Sequence, residues 1–310
     1  MQITTGPKAL FWLLLLGCCL PLVSAPLALA AGIGFGMVAG NPWPTSTAVW
    51  SRRLLQTSVV GLGFGMYLPQ VLQTGRDAFL YTAISIVLTM LTGHLLGRLL
   101  AVPGRTATLI SFGTAICGGS AIAAMAPVMK AEPEETGVAL ATIFTLNSLA
   151  LLLFPFFGHL MGMDQQQFGL WAALAIHDTS SVVGAAAAYG AGALAIGTTV
   201  KLTRALWIMP AALLGSWLTR SEGTTKFPLF IIGFLVAAGC RTALPNLTQL
   251  WIPLNQIARQ SLVVTLFLIG SGLTRQTLAR TGIRPLAQGV LLWVIISAAS
   301  AYAILARWLI

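Results

Sequence analysis

The chain has 310 residues, 57% of them hydrophobic and only 8% charged, and a mean hydropathy of +0.87. Apolar stretches long enough to cross a bilayer recur along its whole length, which excludes a soluble globular domain and predicts an all-α polytopic membrane protein. The net charge of +10 comes mostly from Lys and Arg between apolar spans or at their ends, where they set orientation; nucleic-acid binding is not expected.

Lys8, the apolar run 9–20 and the Val-Ser-Ala at 23–25 resemble a signal peptide. The run continues almost directly through Pro26 into more apolar sequence, which fits two antiparallel spans better than a leader. Apolar length and Gly/Pro punctuation then predict segments near 9–25, 26–40, 54–73, 78–100, 106–129, 136–160, 168–190, 194–218, 227–240, 258–274 and 286–309. Residues 1–25 form an extra N-terminal span, 26–160 a first half and 168–310 a second.

The halves echo each other. GFGMVAG at 34–40 matches GFLVAAG at 233–239, and Gly63, Gly65, Thr74 and Gly75 recur with the same spacing at Gly270, Gly272, Thr281 and Gly282. AICGGS at 115–120 pairs with AIHDTS at 175–180, and Ala150, Leu151 and Pro155 recur as Ala205, Leu206 and Pro210. If all eleven segments crossed, two and nine would be antiparallel but five and seven parallel, and no single symmetry operation gives both. Segments five and seven as re-entrant hairpins, one from each face, make every pair inverted. Their Gly118-Gly119 and Asp178–Ser181 stretches suit broken helices, because irregular backbone at membrane depth is tolerated only beside protein or a water-filled cavity. The expectation is an inverted-repeat secondary-transporter fold of about nine spans and two hairpins.

With the N-terminus cytoplasmic, the inner side receives Lys8, Arg52, Arg53, Arg98, Arg105, Lys130, Arg220, Lys226, Arg275, Arg280 and Arg284, against Arg76, Arg241, Arg259 and Arg307 outside. Lys201 and Arg204 are left within segment eight, three residues apart and so on one helix face. A charge at bilayer depth costs about 2.5–3.5 kcal/mol on insertion scales, so these two must face protein or a cavity. One reading is a structural ion pair of Asp178 with either cation. The other is a ligand site, because two cations against one carboxylate leave a surplus of +1, which favours an anion. Segment six carries Leu146 and Leu149 at the equivalent places, so the scaffold alone does not require the charges.

Half-helices beginning at Ser120, and at Ser180 or Ser181, would aim free N–H groups at the midplane, with the serines also able to cap those ends. The candidate substrate site is therefore Gly118, Gly119, Ser120, His177, Asp178, Ser180, Ser181, Lys201 and Arg204, with His177 and Asp178 coupling proton movement. A catalytic reading of His177, Asp178 and Ser180 is poor, since adjacent helical residues diverge by about 100°; no enzyme activity is expected. His94 and His159 read as structural, and Glu132, Glu134 and Glu135 as a solvated helix start. Cys18, Cys19, Cys117 and Cys240 lack metal-ligand spacing, so neither metal nor other cofactor is expected.

ICGGSAIAA at 116–124, IHD at 176–178, VKLTR at 200–204 and IGSGLT at 269–274 resemble the YeiH-type family of bacterial inner-membrane proteins named as sulfate exporters. The resemblance runs from about residue 26 to the C-terminus, with Ser181 standing where members commonly carry Gln. It implies kinship with inverted-repeat carriers that move by elevator-like displacement of a core domain, and homodimerisation by analogy. The expectation is a secondary carrier, an exporter, for a small anion such as sulfate, a sulfonate or a carboxylate. The alternative is a cation/proton antiporter using Asp178.

Overall fold

Proline and capping chemistry set where the helices begin. The computed structural model describes residues 5–20, 22–219, 229–272, 274 and 282–309. Arg220, Lys226, Arg275, Arg280 and Thr281 lie outside the described residues. The described residues form helices α1 (Thr5–Gly17), α2 (Ala25–Val38), α3 (Pro44–Gly63), α4 (Leu68–Leu99), α5 (Gly104–Ala115), α6 (Gly119–Val128), α7 (Pro133–Leu160), α8 (Gln165–Ala175), α9 (Thr179–Tyr189), α10 (Ala191–Leu206), α11 (Ile208–Thr219), α12 (Leu229–Ala243), α13 (Thr248–Ser271) and α14 (Ile283–Leu305).

Prolines open α2, α3 and α7, where a missing N–H is harmless. Glu132 with Glu135, and Asp164 with Gln167, build capping boxes at the starts of α7 and α8. Among the described residues, four helices are long and apolar enough to cross a membrane: α4, residues Glu134–Leu160 of α7, α13 and α14.

Several expected boundaries move: α3, α4 and α13 begin at Pro44, Leu68 and Thr248, ahead of the predicted 54, 78 and 258. The predicted span 54–73 is split by a turn in which the N–H groups of Gly65 and Met66 donate to the carbonyls of Leu62 and Gly63, so α3 ends at Gly63 before α4 begins at Leu68. The predicted span 194–218 divides at Trp207 into α10 and α11, because Pro210 has no N–H to offer the carbonyl of Leu206 at the end of α10.

The chain forms two compact units, Met1–Leu72 with Pro228–Leu278 and Gln73–Phe227 with Ala279–Ile310, which cut across the halves 26–160 and 168–310. The first unit packs backbone on backbone. A Cβ at Gly32 would lie 2.3 Å from the Phe267 carbonyl oxygen of α13, and one at Gly63 2.6 Å from the Phe234 carbonyl oxygen of α12; such close approach is how membrane helices gain contact where lipid supplies no hydrophobic drive. Phe11 of α1 sits among Phe35, Trp43 and Phe267. The second unit carries the hairpins.

Candidate functional site

Two helical hairpins are folded by local chemistry at their ends. In the pair α8–α9, Phe168 stacks on Tyr189 at 3.8 Å, the Tyr189 hydroxyl donates to the Met163 carbonyl, and the Gly192 N–H donates to Gln165 Oε1 at 2.7 Å. The start of α8 therefore lies beside the end of α9, and the chain turns back at Ile176–Asp178. In the pair α5–α6 the turn is at Ile116–Gly118. Arg105 at the start of α5 pairs with Glu135 at the start of α7 at 3.7 Å, so α5 begins where α6 ends. From there α7 runs to the other hairpin's open end, where a Cβ at Gly158 would meet Phe168 and Tyr189. The hairpins thus enter from opposite ends of α7, and their tips meet: a Cβ at Gly118 would lie 3.3 Å from Cα of Asp178.

The caps differ from expectation. The half-helices begin at Gly119 and Thr179, with Gly118 and Asp178 as N-caps in place of the serines. Gly118 has φ 67° and ψ −128°, a conformation that Cβ-bearing residues rarely adopt. Asp178 Oδ2 accepts from the N–H of Ser181 at 3.2 Å, from the Ser180 hydroxyl, and from the Ser181 hydroxyl at 3.4 Å. The first turn of α6 has no side-chain cap, Gly119 is buried, and Ser120 is exposed.

Lys201 and Arg204 are wholly buried on one face of α10, but neither pairs with Asp178; among the described residues the one ion pair is Arg105 with Glu135. Both cations instead satisfy carbonyls left open where α5 and α8 stop. Lys201 Nζ donates to Ile176 O at 2.8 Å and to Ala173 O at 3.4 Å. The Arg204 guanidinium donates to Ala115 O of one hairpin and Leu174 O of the other, both at 2.5 Å, and reaches Ser85 Oγ on α4 at 3.4 Å. The physical reason is that a helix ending in a dry interior leaves carbonyls without intrahelical partners, and a cation there meets both the hydrogen bonds and the negative dipole end. The expected ion pair is replaced by a clasp joining the two hairpins.

The charge balance survives this correction. Two N-terminal and two C-terminal half-helix ends, about +0.5 and −0.5 each, cancel. Lys201 and Arg204 against Asp178 leave 2 − 1 = +1. Most of the cations' donors are engaged, two of three on Lys201 and four of five on Arg204, so the first turns of α6 and α9 are further polar groups open to a ligand.

His177 is buried and neither ring nitrogen has a hydrogen-bond partner, so it engages neither Ser180 nor Asp178 as a triad would require. His94 is exposed on α4, and His159 Nδ1 pairs with the Pro155 carbonyl at 2.6 Å. Sequence reading missed the backbone carbonyls of Ala115, Ala173, Leu174 and Ile176, which no side-chain pattern reveals. It also missed Asn147, whose amide is buried in α7 with both polar atoms unpartnered. The signal was present, as a carboxamide inside an apolar run.

Fold and site define a helical membrane protein organised around two opposed helical hairpins. The chain belongs to the family described as Conserved hypothetical protein 698, whose model matches residues 18–289. It is 56% identical over 301 residues to a UPF0324 membrane protein of Geobacter sulfurreducens, with 97% of each chain covered. A UPF0324 membrane protein of Bdellovibrio bacteriovorus is 47% identical over 316 residues, covering 100% of this chain and 97% of that one. Another, from Bacteroides thetaiotaomicron, is 50% identical over 278 residues, covering 89% and 84%. No solved structure matches the chain. The names of these relatives say that they are membrane proteins and state neither sulfate nor export.

Proposed function

We propose that the protein is a secondary-active transporter of a small anion in the bacterial inner membrane, built on an inverted repeat and moving its hairpin-bearing unit in an elevator-like manner. The observation that carries this reading is the meeting of two opposed hairpin tips at Gly118 and Asp178 beside the buried Lys201 and Arg204, whose formal charges exceed that of Asp178 by +1. Broken helices meeting within a bundle are where many carriers bind substrate, since irregular backbone offers N–H groups that a continuous helix consumes. Sulfate, a sulfonate or a carboxylate suits the exposed Ser120 and the N-terminal ends of α6 and α9. Lys201 and Arg204 supply the positive field and hold the tips, and His177 and Asp178 couple proton movement to the anion.

One observation favours a second reading, a cation/proton antiporter: Asp178 is half-buried at the tip and, among the described residues, pairs with no Lys or Arg, so its charge is not matched by the protein's own cations. Currents from purified protein on a solid-supported membrane, screened over sulfate, sulfonates and carboxylates and then over sodium and pH, test the two. Currents that require an anion support the first reading; currents that follow sodium or pH with no anion dependence support the second and overturn the first.

A further inference from the structure

A cavity of about 440 Å³ lies within the unit formed by Met1–Leu72 and Pro228–Leu278, where α3 ends and α13 begins. Its wall includes Phe64, Trp251, Asn255, Gln256, Arg241 of α12 and Arg259 of α13. Both guanidiniums are held in place. Arg241 donates to the Tyr67 hydroxyl at 3.2 Å and to the Pro245 carbonyl at 3.3 Å, with its guanidinium 5.0 Å from the Tyr67 ring centre. Arg259 Nε donates to Asn255 Oδ1 at 2.9 Å, and Asn255 Nδ2 donates in turn to the Leu62 carbonyl at 3.2 Å. Asn255 can take this position because Gly65 has no side chain; a Cβ there would lie 2.4 Å from Asn255 Nδ2. In the same lining, Phe64 stacks on Trp251 at 5.3 Å and an interplanar angle of 7°.

The charge of this cavity is uncompensated by its own unit. No Asp or Glu occurs anywhere in residues 1–72 or 228–278. An arginine carries five N–H donors, and the bonds above occupy one on Arg259 and two on Arg241, so most of the fork geometry that suits a tetrahedral oxyanion is still available. Two fixed guanidiniums, two carboxamides and a stacked aromatic wall match an oxyanion attached to an apolar group.

We propose that this cavity binds a phosphate-type oxyanion through Arg241 and Arg259, with the Phe64–Trp251 wall against its apolar portion. The site does not depend on the hairpin-tip reading, since every residue named belongs to the unit without hairpins. The same chemistry is offered by an anionic phospholipid headgroup and by free phosphate, and the experiment separates them. Purified full-length protein in uncharged detergent is titrated with phosphatidylglycerol, with phosphatidylcholine and with inorganic phosphate, reading bound lipid by native mass spectrometry and thermal stability by melting. Retention of phosphatidylglycerol over phosphatidylcholine, with a raised melting temperature, identifies the lipid source; an equal stabilisation by inorganic phosphate identifies the free ion. Either effect weakens at least tenfold in the double variant Arg241→Gln, Arg259→Gln and is largely kept in the double Lys variant. If the double Gln variant does not fold, Arg259→Gln alone serves, because its one recorded bond lies within its own helix; it too weakens the effect. Equal retention of both lipids without a phosphate effect, or an unchanged effect in the Gln variants, overturns the proposal.

Discussion

Gly118 and Asp178 sit against each other where the two hairpins meet, so closely that a Cβ added to Gly118 would lie 3.2 Å from Cβ of Asp178. Each is the N-cap of a half-helix, one by backbone conformation and the other by its carboxylate.

Gly118→Ala is expected to destabilise the protein and stop transport. The left-handed backbone at Gly118 costs about 1–3 kcal/mol for a residue with a Cβ, and the new methyl group must also push Asp178. Melting of the purified variant alongside flux in proteoliposomes checks this; wild-type stability and flux would show that the tips need not touch.

Arg204→Ala is expected to lower stability more than Lys201→Ala. Arg204 reaches the carbonyls of Ala115 on one hairpin and of Ala173 and Leu174 on the other, while Lys201 reaches those of Ala173 and Ile176 on a single hairpin, and each buried carbonyl left unsatisfied costs about 1–3 kcal/mol. Thermal melts of both variants give the order, and the reverse order would contradict the clasp.

Ser120→Ala is expected to weaken anion binding about two- to tenfold with unchanged melting, because one hydroxyl donor contributes about 0.5–1.5 kcal/mol and the exposed side chain supports nothing else. Asp178→Asn is expected to retain or strengthen anion affinity while impairing turnover. Calorimetry on both variants is the measurement; loss of anion binding in a folded Asp178→Asn protein instead assigns Asp178 to the ligand or to a transported cation.

Anion affinity is expected to be higher at pH 5.5 than at pH 8. In the proposed coupling, an anion arriving beside the buried His177 favours its uptake of a proton, and binding that takes up a proton is tighter at low pH. The slope is expected to flatten in His177→Gln. Calorimetry across that range decides it, and a pH-independent wild type removes the coupling.

Single cysteines near Thr106 and Lys130 are expected to label from one side of the membrane, and those near Asp164 and Gly192 from the other, in a cysteine-free background. The ion pair of Arg105 with Glu135 and the bond from Gly192 to Gln165 hold each hairpin's ends together. Labelling from opposite sides across either hairpin would contradict that path.

The sequence by itself determined the helical membrane class, because apolar length and scarce charge leave no other way to satisfy backbone hydrogen bonds in lipid. It also located the breaks near Gly118 and Asp178, since glycine pairs and clustered polar residues interrupt helices for local reasons, and it marked Lys201 and Arg204 as costly enough to need a task. Only the tertiary structure decided what that task is. Lys201 and Arg204 bind carbonyls from residues up to 89 positions away, and a carbonyl is present at every residue, so no pattern of side chains predicts which ones are left open. The charge on Asp178 could be paired on paper with either cation; the fold turns it instead onto Ser180 and Ser181, because the N-terminus of α9 starts beneath it and offers N–H groups that no other group is placed to meet.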